Sequence, residues 1–298
     1  MPTWQDQPER GSGTLTRFIV WLSLNTRRPL VRLLLYPITA YFFAFSPVMR
    51  AASRKYLSTV LRQSVSLRQV FHHYLTFARV SHDRILLLSG RHKEFDVSFK
   101  GLEVVEALLA RNQGFLFLGA HLGSFEVLRA FGMFEKKMPI KILLYPDNTR
   151  RILAIIEALN PALSREIISL GKPESMILAK RHVDNGGIIG ILGDRIARGD
   201  KVVYANFLGC PAEFPAGPML LASFLKVPVV LFCGLYLGRD RYEIRFESFG
   251  DEIIISPDSR QQDLQAWIDR YAARLDQLCT TSPYNWFNFY DFWAPHKM

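Results

Sequence analysis

The chain has 298 residues, 49% of them hydrophobic and 13% aromatic, which is enough apolar material for a sizeable core and argues against disorder as the main state. Three widely spaced cysteines (Cys210, Cys233, Cys279) argue against a disulfide scaffold or a clustered zinc site and suggest a reducing, cytoplasmic setting. The net charge of +10 is confined to the first third. Residues 1–100 carry 15 Lys+Arg against 5 Asp+Glu, whereas residues 101–298 carry 22 of each. A field so segregated needs a negative partner: nucleic acid, anionic lipid or an acidic carrier protein.

At the N-terminal end, the apolar runs 18–24 and 33–49 are rich in Trp, Tyr, Phe and Leu and are flanked by arginines. That mixture suits the lipid headgroup boundary, whereas a nucleic-acid arm would be polar and basic without long apolar runs. The run 33–49 alone approaches the roughly 20 residues that a spanning helix needs, so a polytopic membrane protein is not expected. Pro37 and Pro47 would kink a helix there, so a shallow or tilted insertion is as plausible as a span. Residues 48–88 read as mostly helical. The expected organisation is a membrane-associating helical region over 1–94, followed by an α/β domain over 95–298.

From about Phe95, short apolar runs alternate with segments of helical period. Strands are predicted at 95–99, 115–118, 140–145, 166–170, 187–192, 227–236 and 242–249. Helices are predicted at 102–111, 124–134, 149–158, 173–184, 217–224 and 261–279. Such alternation implies an α/β fold, a mostly parallel central sheet flanked by helices. Working residues in such sheets sit beyond the carboxyl ends of the strands. Three strand exits carry polar clusters: 119–126 with His121 and Glu126, 145–148 with Tyr145 and Asn148, and 193–200 with Asp194, Arg195 and Arg198.

His121 falls just past the second strand, Gly123 permits a sharp turn, and Ser124 suits the N-cap of the following helix. With His121 in the loop and Glu126 in the first helical turn, the carboxylate could accept a hydrogen bond from one imidazole nitrogen. It would thereby fix the tautomer and raise basicity at the other nitrogen, as a general base requires. The remaining histidines (His72, His73, His82, His92, His182, His296) show no partner pattern. Ser124 lacks the Gly-x-Ser-x-Gly context of a nucleophile.

His121-x4-Glu126 after a hydrophobic strand resembles the His-x4-Asp/Glu motif of the lysophospholipid acyltransferase superfamily, and most closely its bacterial lipid A late acyltransferase (lauroyl/myristoyl) branch. Leu144-Tyr-Pro-Asp-Asn148 is similar to the family's second block. Gly193-Asp-Arg195, Val203–Gly209, Pro215-Ala-Gly217 and Leu220-Leu-Ala222 resemble its later blocks, Val227-Pro-Val-Val230 the strand that follows, and Tyr284-Asn-Trp286-Phe its tryptophan segment. Two positions depart from the branch: Ala120 stands where it usually has Asn, and Pro146 where it usually has Arg. Lipid A and another lipid-like acceptor therefore both stay open.

The resemblance implies a membrane-associated acyltransferase on the cytoplasmic face of the bacterial inner membrane. It would move an acyl group from acyl carrier protein or acyl-CoA to a hydroxyl of a lipid or glycolipid, with no metal, no cofactor and no nucleic-acid partner. His121 and Glu126 would be the catalytic pair, and attack would be direct, without a covalent intermediate. Tyr145, Asn148, Arg165, Asp194, Arg195 and Arg198 would contact substrate, Arg165 as an oxyanion or phosphate donor and Arg195 with Arg198 as a phosphate-holding pair. An acyl-ester hydrolase using the same histidine and a non-catalytic lipid-binding scaffold are the alternatives. The aromatic tail 284–293 is expected to dock on the core, with membrane contact second.

Overall fold

The computed structural model describes residues 20–134, 138–144, 159–197 and 199–294. Helices α1 (Arg28–Phe45), α2 (Pro47–Leu61) and α3 (Leu67–Leu88) precede the sheet region. Pro47 opens α2 at its first turn, where a missing N–H costs nothing, and the α1 and α2 axes differ in direction by 97°. A reciprocal capping box between Ser66 and Gln69 starts α3.

The sheet region runs β1 (Asp96–Lys100), α4 (Leu102–Ala110), β2 (Phe115–Gly119), α5 (Phe125–Phe134), β3 (Ile140–Leu144), a short α6 (Pro161–Ser164), β4 (Ile167–Ser169), α7 (Pro173–Asp184) and β5 (Ile188–Leu192). The hairpin β6 (Val202–Phe207) and β7 (Cys210–Pro215) follows, then α8 (Gly217–Leu225), β8 (Val229–Gly238), β9 (Arg241–Gly250) and α9 (Arg260–Thr281). Among the described residues seven strands form one sheet in the order β1-β9-β8-β2-β5-β3-β4, and every neighbouring pair is parallel except β8 with β9. This is the α/β architecture with a mostly parallel, helix-flanked sheet that the alternation predicts. Every predicted strand has a counterpart within a few residues. The helix predicted at 149–158 lies outside the described residues. The hairpin β6–β7, paired apart from the main sheet, was not predicted.

β2 occupies the middle of the sheet and is buried along its whole length, as a parallel strand covered on both faces must be. One continuous apolar core takes in Tyr56, Leu57 and Val70 from the first helices, the strand residues Phe117 and Ile189, and the tail residues Trp286 and Phe289. The tail thus docks on the core, with Trp286, Phe287, Phe289, Tyr290 and Phe292 all buried.

Helix α1 presents two faces. Val31, Leu35 and Thr39, spaced by four, are buried. Leu30, Leu33, Leu34, Tyr41 and Phe45 are exposed, as are Trp21 before it and Val48 after it. Its inner edge is clamped by the fully buried Asp83 of α3. That carboxylate receives Arg28 at 2.8 Å, Arg32 at 3.4 Å and the hydroxyl of Tyr242 at 2.9 Å. Among the described residues no single helix is long and apolar enough to cross a membrane, although α1 and α2 together pass as a bent pair by length and composition.

Candidate active site

Strand register brings the central pair together. Gly119 at the end of β2 lies beside Leu192 at the end of β5. Two residues further on, each strand delivers a polar side chain, His121 and Asp194, at the same level above the sheet. The loop after β2 is pinned from several sides. Gly123, at φ 73°, approaches Gly234 of β8 so closely that a Cβ would lie 2.0 Å from the Gly234 carbonyl oxygen. The Gly123 N–H donates to the Asn285 carbonyl at 2.7 Å, and the Phe287 N–H donates to the His121 carbonyl at 2.8 Å. The hydroxyl of Tyr271 on α9 donates to the Gly119 carbonyl at 2.8 Å. Only glycine fits at 123, because both the positive φ and the contact exclude a side chain.

Asp194 is completely buried and richly solvated by the protein. His121 Nδ1 lies 2.7 Å from its Oδ1, and the His121 backbone N–H donates to both carboxylate oxygens at 3.0 Å. Trp286 Nε1 donates at 3.0 Å and Asn288 Nδ2 at 2.8 Å. Burial by itself would raise this carboxyl, but the His121 imidazole beside it, with help from the Arg195 charge, holds it down at about 2. Asp194 is therefore ionised, so Nδ1 of His121 carries the proton and Nε2 the lone pair. Burial first, then the Arg195 charge, lower the His121 pKa, with Asp194 opposing them. The imidazole is neutral at pH 7, 27% exposed, and its Nε2 has no hydrogen-bond partner among the described residues.

Arg195 reaches the tail, with Nε donating to Asn288 Oδ1 at 2.7 Å and Nη2 to the Phe287 carbonyl at 3.0 Å. Accepting from Arg195 and donating to Asp194, Asn288 has its amide orientation fixed at both ends.

Where the sequence reading paired His121 with Glu126, the structure gives His121 Nδ1 to Asp194. Glu126 instead meets Arg84 of α3, 2.5 Å from its Oε1, and accepts from Ser124 at 3.5 Å. The reason is geometric: Asp194 arrives on the adjacent strand and takes the near side of the imidazole, whereas Glu126 sits on α5 facing α3. The Arg84 charge outweighs burial and keeps Glu126 below the usual range for a carboxyl. Arg129, one helical turn beyond Glu126, is 3% exposed, and burial lowers it to about 10.

Of the other predicted contact residues, Tyr145, Asn148 and Arg198 lie outside the described residues. Arg165 is exposed at the amino end of β4, the sheet end opposite the one that carries His121, and lines an edge groove with Lys141 and Lys172. It does not join the His121 cluster. Sequence reading missed Trp286 and Asn288 as donors to Asp194, although Trp286 lay within a segment quoted for the family resemblance. It also missed Arg84, which carries no motif. Among the described residues no three His, Cys, Asp or Glu side chains converge as a metal site.

The family profile of the bacterial lipid A biosynthesis acyltransferases matches residues 47–294, a span that includes α2, α3, the whole sheet and the tail that holds Asp194. No curated protein matches the chain. A family match over most of the length, on a fold whose central strand ends in a solvent-reaching histidine, makes this chain a member of the bacterial lipid A biosynthesis acyltransferase family.

Proposed function

We propose that this acyltransferase moves a fatty acyl group from a thioester, borne by acyl carrier protein or coenzyme A, to a hydroxyl of a lipid or glycolipid acceptor. The reaction would take place at the cytoplasmic face of the bacterial inner membrane. The observation that carries the proposal is the His121–Asp194 hydrogen bond at 2.7 Å beneath an Nε2 without a partner among the described residues. In this reading Nε2 takes the proton of the acceptor hydroxyl as its oxygen attacks the thioester carbonyl. The C–S bond then breaks, and the same proton passes to the leaving thiolate, so the products are an ester and a free thiol with His121 restored. Asp194 holds the productive tautomer and steadies the imidazolium while it lasts. The free cysteines Cys233 and Cys279 are buried, with thiol pKa values pushed up by burial, so neither is suited to nucleophilic attack.

Membrane association in this reading runs through the outward face of α1. A row of exposed Leu, Tyr and Phe on one helix, with the exposed Arg27 at its N-cap, suits a helix lying in the headgroup boundary.

His121→Ala should lower acyl transfer by at least about 10²-fold, the low end of what a general base contributes. The assay is formation of acylated lipid by the purified variant in detergent. Retention of a tenth or more of wild-type turnover would remove His121 from the mechanism.

A further inference from the structure

The carboxylate of the His-x4-Glu motif does not face the imidazole, which raises the question of what it serves. Glu126 lies between two arginines: Arg84 pairs with it at 2.5 Å, and Arg129 stands one turn behind it on the same helix. Arg84 is 45% exposed, so its guanidinium still has N–H groups open to solvent. Arg129 is almost wholly buried, and its Nη2 has no hydrogen-bond partner among the described residues. A buried guanidinium N–H without an acceptor is costly, and a ligand oxygen that reached it would recover that cost. Two guanidinium charges against one carboxylate leave the cluster a net cation. It sits within electrostatic reach of His121, whose imidazole feels the Arg84 charge. Arginine forks match the oxygens of phosphate in a way that lysine does not.

We propose that Arg84, backed by Arg129 and held in place by Glu126, grips a phosphate ester of a substrate. The proposal rests on the acyl-transfer reading only for the identity of that substrate. Glu126 is then a positioning residue for Arg84 rather than the partner of the general base. The phosphate could belong to the acceptor headgroup or to the pantetheine arm of the donor. Nearness to His121 favours the acceptor, since a long pantetheine arm separates the donor phosphate from the thioester that must reach the base.

The test is direct binding, read without turnover by ligand-detected NMR, on full-length protein in detergent. One arm compares glucosamine 1-phosphate with glucosamine, and the other compares 4′-phosphopantetheine with pantetheine. Wild-type protein should prefer the phosphorylated member of one pair. Arg84→Gln should weaken that member at least about tenfold and leave its dephosphorylated counterpart unchanged, and Arg84→Lys should fall between. The arm that responds names the source of the phosphate. Glu126→Gln should lower the same preference and move the acid limb of acyl transfer modestly downward without abolishing transfer, because Arg84, no longer neutralised, adds its charge at His121 while Asp194 still holds the imidazole. Equal binding of both members in both arms by wild type would overturn the proposal. So would a loss in Arg84→Gln that is the same with and without phosphate. Intact phosphate preference in a protein that transfers no acyl group would support the anion site and remove the acyl-transfer reading instead.

Discussion

Asp194 collects N–H groups from His121, Trp286 and Asn288 in a site closed to water, and ionised acceptors make the strongest of such bonds. Replacing it by Asn keeps the shape but puts a donor where Nδ1 needs an acceptor. Asp194→Asn should therefore lower kcat by roughly 10²–10⁴-fold. It should also move the acid limb of kcat/KM. His121 already titrates below the ordinary range, and Asp194 is the charge that raises it against burial and Arg195. Removing that charge lowers the imidazole further, so the residual activity should persist to lower pH than in the wild type. A pH series on the two proteins decides this, and an acid limb that shifts upward would contradict the assigned roles. The histidine was legible in the sequence because a strand end, a glycine and a polar cluster coincide there. Its partner was not. Glu126 is five residues away and Asp194 is seventy-three, and local spacing draws attention to the first. Strand register alone sets the second, through the pairing of Gly119 with Leu192.

Hydrophobic period located every strand of the main sheet to within a few residues, because a buried parallel strand is written as an unbroken apolar run. The β6–β7 hairpin escaped for a specific reason. Its two-residue turn is Leu208-Gly209, both at positive φ, without the Asn-Gly or Asp-Gly signature such turns usually carry. Leu208 is held in this unfavourable conformation by its N–H, which donates to Asp276 of α9 at 2.8 Å. Helix α1 shows the opposite case. Its composition marked an apolar helix flanked by arginines, but which side chains point inward emerges only from the packing of Val31, Leu35 and Thr39 and the Asp83 clamp. Leu33 and Phe45 are 66% and 58% exposed. Leu33→Glu with Phe45→Glu should therefore shift the protein from the membrane pellet toward the supernatant. The thermal midpoint should barely change, since exposed substitutions typically cost within about 0.5 kcal/mol each. Sedimentation together with a melting curve checks both halves. A double variant that still pellets fully would place the membrane contact elsewhere.

Across the whole molecule, one core joins the first helices to the tail, and His73 lies at that junction. It is completely buried, with Nδ1 2.8 Å from the Ser53 hydroxyl and Nε2 2.8 Å from the Trp286 carbonyl, among the rings of Tyr56, Phe287 and Phe289. Burial lowers its pKa to about 4, against about 6.5 in an unfolded chain. Between those values the unfolded chain takes up a proton that the folded one refuses. The contribution is whole above about 6.5 and is lost as pH falls toward 4, for a total on the order of 3 kcal/mol. Thermal midpoints measured from pH 7 to 4 should fall more steeply in the wild type than in His73→Gln. His72, His121 and His182, also lowered by burial, contribute to the slope of both proteins and cancel in the difference. Parallel slopes would show that His73 is not held neutral by the fold.

The pinning of the His121 loop by residues 285–288 also has a consequence in time. A ribosome makes Arg84, His121, Glu126 and Asp194 long before it makes Asn285, Trp286 and Asn288. A nascent chain that has emerged through β9 already contains α1 and the strands that end in His121 and Asp194. It still lacks the indole and amide donors to Asp194 and the backbone bonds that hold the loop. The His121–Asp194 pair is therefore completed by a segment made after every strand of the main sheet and after the outward face of α1. A chain stalled or cut before Asn285 should carry both His121 and Asp194 but lack the contacts that fix them.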